Sequence, residues 1–111
     1  MSKTNQINIT VTLGEDQIPE SISWEASGQE EQAKAMLLSF FDEKTKETLK
    51  IDLWTRDMEV REMDQFFFTT LNAMTDTYVK ATGNAQLAGA MKSFAEYFGV
   101  STGLIEPKDE Q

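Results

Sequence analysis

The hydrophobic pattern of this chain changes period between Leu49 and Phe68, and that change limits the fold more than any other feature. Leu49, Ile51 and Leu53 alternate with Lys50 and Asp52, the period of a strand with one apolar face. After Asp57 the apolar positions become Val60, Met63, Phe67, Leu71, Met74 and Tyr78, the spacing of one face of a helix. A β half is therefore followed by an α half. Strands first and helices afterwards predict an α+β domain with an antiparallel sheet, not an alternating βα fold.

Within the β half, Ile7, Ile9, Val11 and Leu13 alternate with Asn8, Thr10 and Thr12, a strand with one polar face. A second run holds Ile18, Ile22, Trp24 and Ala26, and Pro19 marks its start or an edge position because proline cannot donate to a ladder. Ser27–Gln32 reads as a polar loop. The run Ala33–Phe41 is different. As a strand it would point Ala35, Leu37, Ser39 and Phe41 to one side and Met36, Leu38 and Phe40 to the other, with large apolar groups on both faces. Residues 30–36 leave loop, helix and strand open, since Glu30–Met36 has high helix propensity. The acidic turn Asp42–Glu47, followed by a fourth alternating run to Trp54, favours a strand from about Lys34 and a hairpin.

In the α half, Asp57 or Thr55 can cap a first helix, with Glu62 in its first turn, where negative charge suits the helix dipole. That helix reaches about Ala81 and closes at Gly83. Asn84 can cap a second helix with the stripe Leu87, Met91, Phe94 and Phe98, flanked by Ala88 and Ala95 and ended by Gly99. The expected architecture is one domain over residues 1–111, of order ββββαα. It has a four-stranded antiparallel sheet (strands about 6–54) covered on one face by two helices (about 60–99), and a flexible acidic tail from about 104 to 111.

Composition excludes several functions. The chain has no Cys and no His, so it lacks thiolate ligands, thiol nucleophiles, the commonest general base and the commonest transition-metal ligand. Its formal net charge is −9, which disfavours nucleic acid and anionic membrane surfaces as partners. The first residues, MSKTNQINITVT, carry no apolar signal segment. The apolar stretch Ala35–Phe41 is too short to span a bilayer. A cytoplasmic location without membrane insertion is expected. Asp52, Asp57, Glu59, Glu62 and Asp64 cluster near the strand–helix junction, but their spacing fits no cation loop and reads as a solvated face. Ser21, Ser23, Ser39 and Ser93 have no His to activate them. The expectation is a protein that is not an enzyme, with no catalytic residues, no metal ligands and no cofactor.

Interest falls instead on apolar groups that one small core is not expected to cover. Of the consecutive Phe66, Phe67 and Phe68, Phe68 falls away from the stripe centre and needs the second helix, a partner subunit or exposure. Met36, Leu38 and Phe40 would lie on a sheet face that helices on the opposite side cannot cover. These four residues, Met36, Leu38, Phe40 and Phe68, are the candidate protein-interaction set. The expected occupants are a second subunit, in a dimer or tetramer, or a peptide or unfolded client.

The segment IDLWTRDM at Ile51–Met58, continuing as EVREMDQFF to Phe67, resembles the gliding-motility protein GldC family. So do the opening MSKTNQINITVTL, the run KAMLLSFFDEKTKETLKIDLWT and the segment AMTDTYVKAT. The similarity covers nearly the whole chain and is weakest at Ser27–Gln32 and the tail. It implies a small cytoplasmic accessory of the machinery that moves surface adhesins in gliding bacteria, a machinery tied to a specialised secretion system. It implies no catalytic residue. The element order also resembles that of SecB, the acidic export chaperone, which implies as an alternative a holdase that binds unfolded or exported clients.

Overall fold

The computed structural model describes residues 2–107, in two compact units that divide between Met58 and Glu59. The first unit is β and the second α, as the change of period predicts.

The β unit contains five strands, not four: β1 (Ile7–Leu13), β2 (Pro19–Ala26), β3 (Gln29–Ala33), β4 (Ala35–Phe41) and β5 (Thr48–Trp54). They form two antiparallel sheets, one of order β1-β2-β3 and one of order β4-β5. The extra strand occupies most of the segment expected to be a loop. Ser27 and Gly28 have φ of 53° and 81°, the left-handed values a two-residue hairpin turn requires. That turn sets Ala26 opposite Gln29. The strand it creates, Gln-Glu-Glu-Gln-Ala, is exposed at every position but the last, so no apolar alternation announces it. Lys34 bends the chain between β3 and β4. Beyond the bend β4 pairs with β5, and the four-stranded sheet expected from the sequence is replaced by a three-stranded and a two-stranded one.

The three-stranded sheet has one apolar face. The register sets Ile7 opposite Ala26, Ile9 opposite Trp24, and Val11 opposite Ile22. Ile22 in turn faces Ala33. Because β2 is the central strand, Ile22 is flanked on both sides and is the one large side chain fully buried among the described residues. Asn8, Thr10, Thr12, Ser21, Ser23 and Glu25 take the other face, as alternation dictates.

The α unit is a helical hairpin of α1 (Val60–Thr82) and α2 (Ala85–Ser101). The N-cap of α1 is Glu59, where Asp57 or Thr55 was expected. The Glu59 N–H donates to the Glu62 carboxylate at 3.0 Å, a reciprocal capping arrangement. Gly83 closes the helix at φ 74°, and the Asn84 side chain accepts the Leu87 N–H at 3.0 Å to start the next one.

Two further corrections concern α2. Its buried positions are Ala88, Ala95 and Gly99, whereas Leu87 and Phe94 of the expected stripe stay exposed. Small residues let the two helices approach closely, and α1 supplies the bulk. A Cβ on Gly99 would stand 2.6 Å from the Phe68 ring and 3.0 Å from Ile105. Gly99 therefore serves packing and does not end the helix. The stop lies at Gly103, φ 78°, where the Leu104 N–H reaches back to the Gly99 carbonyl at 2.9 Å and the Gly103 N–H to Val100 at 3.0 Å, a Schellman closure.

Candidate interaction surface

The β4–β5 hairpin owes its register to its turn. The Asp42 carboxylate accepts the N–H groups of Lys44 and Thr45 at 3.0 and 2.7 Å. These two donors, Thr45 foremost, hold its carboxyl below the ordinary range. The Asp42 N–H donates to the Glu47 carbonyl at 2.8 Å. Lys46 takes a left-handed φ of 64° to bring the chain round. At the base, the buried Thr55 donates its N–H to the Lys34 carbonyl at 2.8 Å. Its hydroxyl lies 2.5 Å from the Asp57 carboxylate. That contact, with Lys34 as the nearby positive charge, lowers the Asp57 pKa. Thr55 and Asp57 thus clasp the end of β5 to the bend at Lys34, which is why neither is the helix cap.

With both ends fixed, the register sorts the side chains. Met36 faces Leu53, Leu38 faces Ile51 and Phe40 faces Leu49. Paired residues of an antiparallel ladder project to the same side, so all six share one face, and none of them is polar. Coverage falls toward the turn. Met36, Leu38 and Leu53 are half-buried, whereas Ile51 is 40% exposed, Phe40 54% and Leu49 60%. The opposite face mixes the exposed Leu37, Phe41 and Trp54 with Ser39, Thr48 and a Lys50–Asp52 ion pair at 3.0 Å.

Three of the four sequence candidates, Met36, Leu38 and Phe40, thus come together on one face. Leu49, Ile51 and Leu53 complete it. Their alternation is plain in the sequence, but only the register shows that they share a face with the large residues of β4. Phe68 belongs to the other unit, half-buried against Gly99 of α2.

A second apolar feature lies in the helical hairpin. Thr70, Ala73, Met74, Thr77, Tyr78 and Ala81 of α1 with Met91 of α2 line an open depression of about 470 Å³. Beside it on α2, the exposed Phe94 ring packs near Tyr97 and Phe98 at centroid distances of 6.1 and 6.4 Å.

The acidic residues near the strand–helix junction are engaged individually. Asp52 pairs with Lys50, Asp57 with Thr55, and Glu62 with the Glu59 N–H. Among the described residues no three acidic side chains converge as a metal site would require, and no helix is long and apolar enough to cross a membrane.

No curated protein matches the chain. No solved structure matches it either, so the expected likeness to SecB has no support from a solved fold. The model of one family, described as gliding motility-associated protein GldC-like, matches residues 19–103. That span runs from the start of β2 through both helices to the glycine that stops α2, and it contains the whole β4–β5 hairpin. The chain therefore belongs to the GldC-like family of gliding motility-associated proteins.

Proposed function

We propose that this protein is a non-enzymatic, cytoplasmic accessory of the gliding machinery that acts by protein–protein contact, requiring no cofactor. The family match supports the process. One observation carries the mode of action: a face of six apolar side chains, open at Phe40, Leu49 and Ile51, on a chain of net charge −9. Exposed apolar area of this kind is the mark of an interaction site. Covering it gains about 25 cal/mol per Å² removed from water.

The test is genetic. In a gliding bacterium that carries the gene, deletion should slow or stop cell movement. The wild-type gene should restore movement, and a Phe40→Asp, Leu49→Asp double variant of equal abundance should not. Normal gliding after deletion, or full rescue by the double variant, would refute the reading.

A second reading, a SecB-like holdase, draws on the same open face together with the apolar depression of α1 and α2. It requires the purified protein to slow aggregation of an unfolded test protein and to bind a dye for apolar surface. Failure of both removes it and leaves the accessory role standing.

A further inference from the structure

We infer that the occupant of the six-residue face of β4–β5 is the same face of a second copy of this chain, in an isologous dimer. The inference rests on the reading that the chain works through protein contacts, and it adds the identity of one partner.

The open face gives the need. Phe40 and Leu49 are 54% and 60% exposed on a hairpin that pairs with no third strand among the described residues, and a two-stranded hairpin is marginally stable until its apolar face is covered.

Charge gives the partner. A second copy also carries −9, so it can approach only where its charge does not repel. Residues 35–54 contain Asp42, Glu43, Glu47 and Asp52 against Lys44, Lys46 and Lys50. The hairpin is therefore at −1, and the other −8 lies elsewhere in the chain. A strongly basic partner would find its complement on that acidic remainder. The hairpin instead offers an uncharged centre and a turn of mixed sign, and a mixed-sign rim can complement itself across a twofold axis. Phe40 and Leu49, the pair of the six nearest the turn and the most exposed of them, are the anchors of such a contact. The apolar depression of the helical hairpin has no comparable argument for what would fill it.

The experiment is sedimentation equilibrium on the full chain at tens of micromolar, followed by cross-linking. The wild type should run at twice 12.6 kDa. Phe40→Asp and, separately, Leu49→Lys should each run at the monomer mass with unchanged far-ultraviolet circular dichroism. Both positions are more than half exposed in the single chain, so each change costs that chain little beyond the cross-strand contact between the two. Because the chain has no Cys, Leu49→Cys should give a disulfide-linked dimer on mild oxidation, and Thr10→Cys on the polar face of β1 should not. A monomeric wild type overturns the inference and leaves the gliding role to stand on the rescue experiment. A dimer that survives both substitutions also overturns it, because the contact then lies elsewhere.

Discussion

Replacing Gly99 by Ala sets two effects of opposite sign against each other. In a helix interior, Ala is favoured over Gly by about 1 kcal/mol, so propensity alone predicts stabilisation. The packing predicts the reverse. The new methyl would stand 2.6 Å from Cε1 of Phe68 and 3.0 Å from two atoms of Ile105, well inside ordinary contact. Phe68 is a stiff, half-buried ring that must shift to admit the methyl. Overpacking of this kind costs about 1–3 kcal/mol. The net expectation is a loss of about 1 kcal/mol, or a melting temperature lower by ~4–8 °C for a unit of this size. The assay is thermal unfolding followed by circular dichroism at 222 nm. Shortening the ring in a Gly99→Ala, Phe68→Leu double variant should restore part of the loss, because the two sites are in direct contact. If Gly99→Ala alone raises the melting temperature, Phe68 is not packed against α2. It would then have to be counted again among groups available to a partner.

Two further outcomes follow from the same kind of reasoning. Asp16, Asp42 and Asp57 all have lowered pKa values, from the Arg56 guanidinium, the turn N–H groups and the Thr55 hydroxyl respectively. A folded-state pKa below the unfolded value of about 3.9 gives stability that is present above that pH and is lost as pH falls through the folded value. Asp42→Asn should therefore destabilise the β unit at pH 6, and the difference from wild type should fade as the pH falls below the ordinary carboxylate range and through the lowered Asp42 pKa. Emission from Trp24 and Trp54, both in that unit, reports it, and a difference that stays constant with pH would contradict the cause given. Asn84→Ala removes the acceptor of the Leu87 N–H and should cost about 1 kcal/mol in thermal unfolding. An unchanged melting temperature would mean that water replaces the cap without loss.

The limits of sequence reading follow from what each feature depends on. The helices were legible because Gly83 and Asn84 are local signals and both sit where they were expected, although much of the apolar stripe, Val60, Phe67, Met74, Leu87 and Phe94, stays exposed. The strand Gln29–Ala33 escaped because an exposed edge strand has no apolar alternation. Its one local mark was the dipeptide Ser27-Gly28, whose left-handed backbone makes the turn. Gly99 was misread as a helix end because glycine serves both to close helices and to admit a neighbour, and only the position of Phe68 separates the two uses.

The candidate surface divides the same way. That Met36, Leu38 and Phe40 point to one side of a strand follows from a period of two. So does the alternation of Leu49, Ile51 and Leu53. Their union into one uncharged face depends on register, and a slip of a single residue would have set the β4 residues against Lys50 and Asp52 instead. The order of β and α halves, the lack of Cys and His and the balance of charge were thus in the sequence itself, because they depend on residue identity and short-range periodicity. The division into two sheets, the small-residue seam between the helices and the shared face of β4–β5 were decided only in three dimensions. They depend on which distant segments meet, and hydrophobicity alone does not encode that.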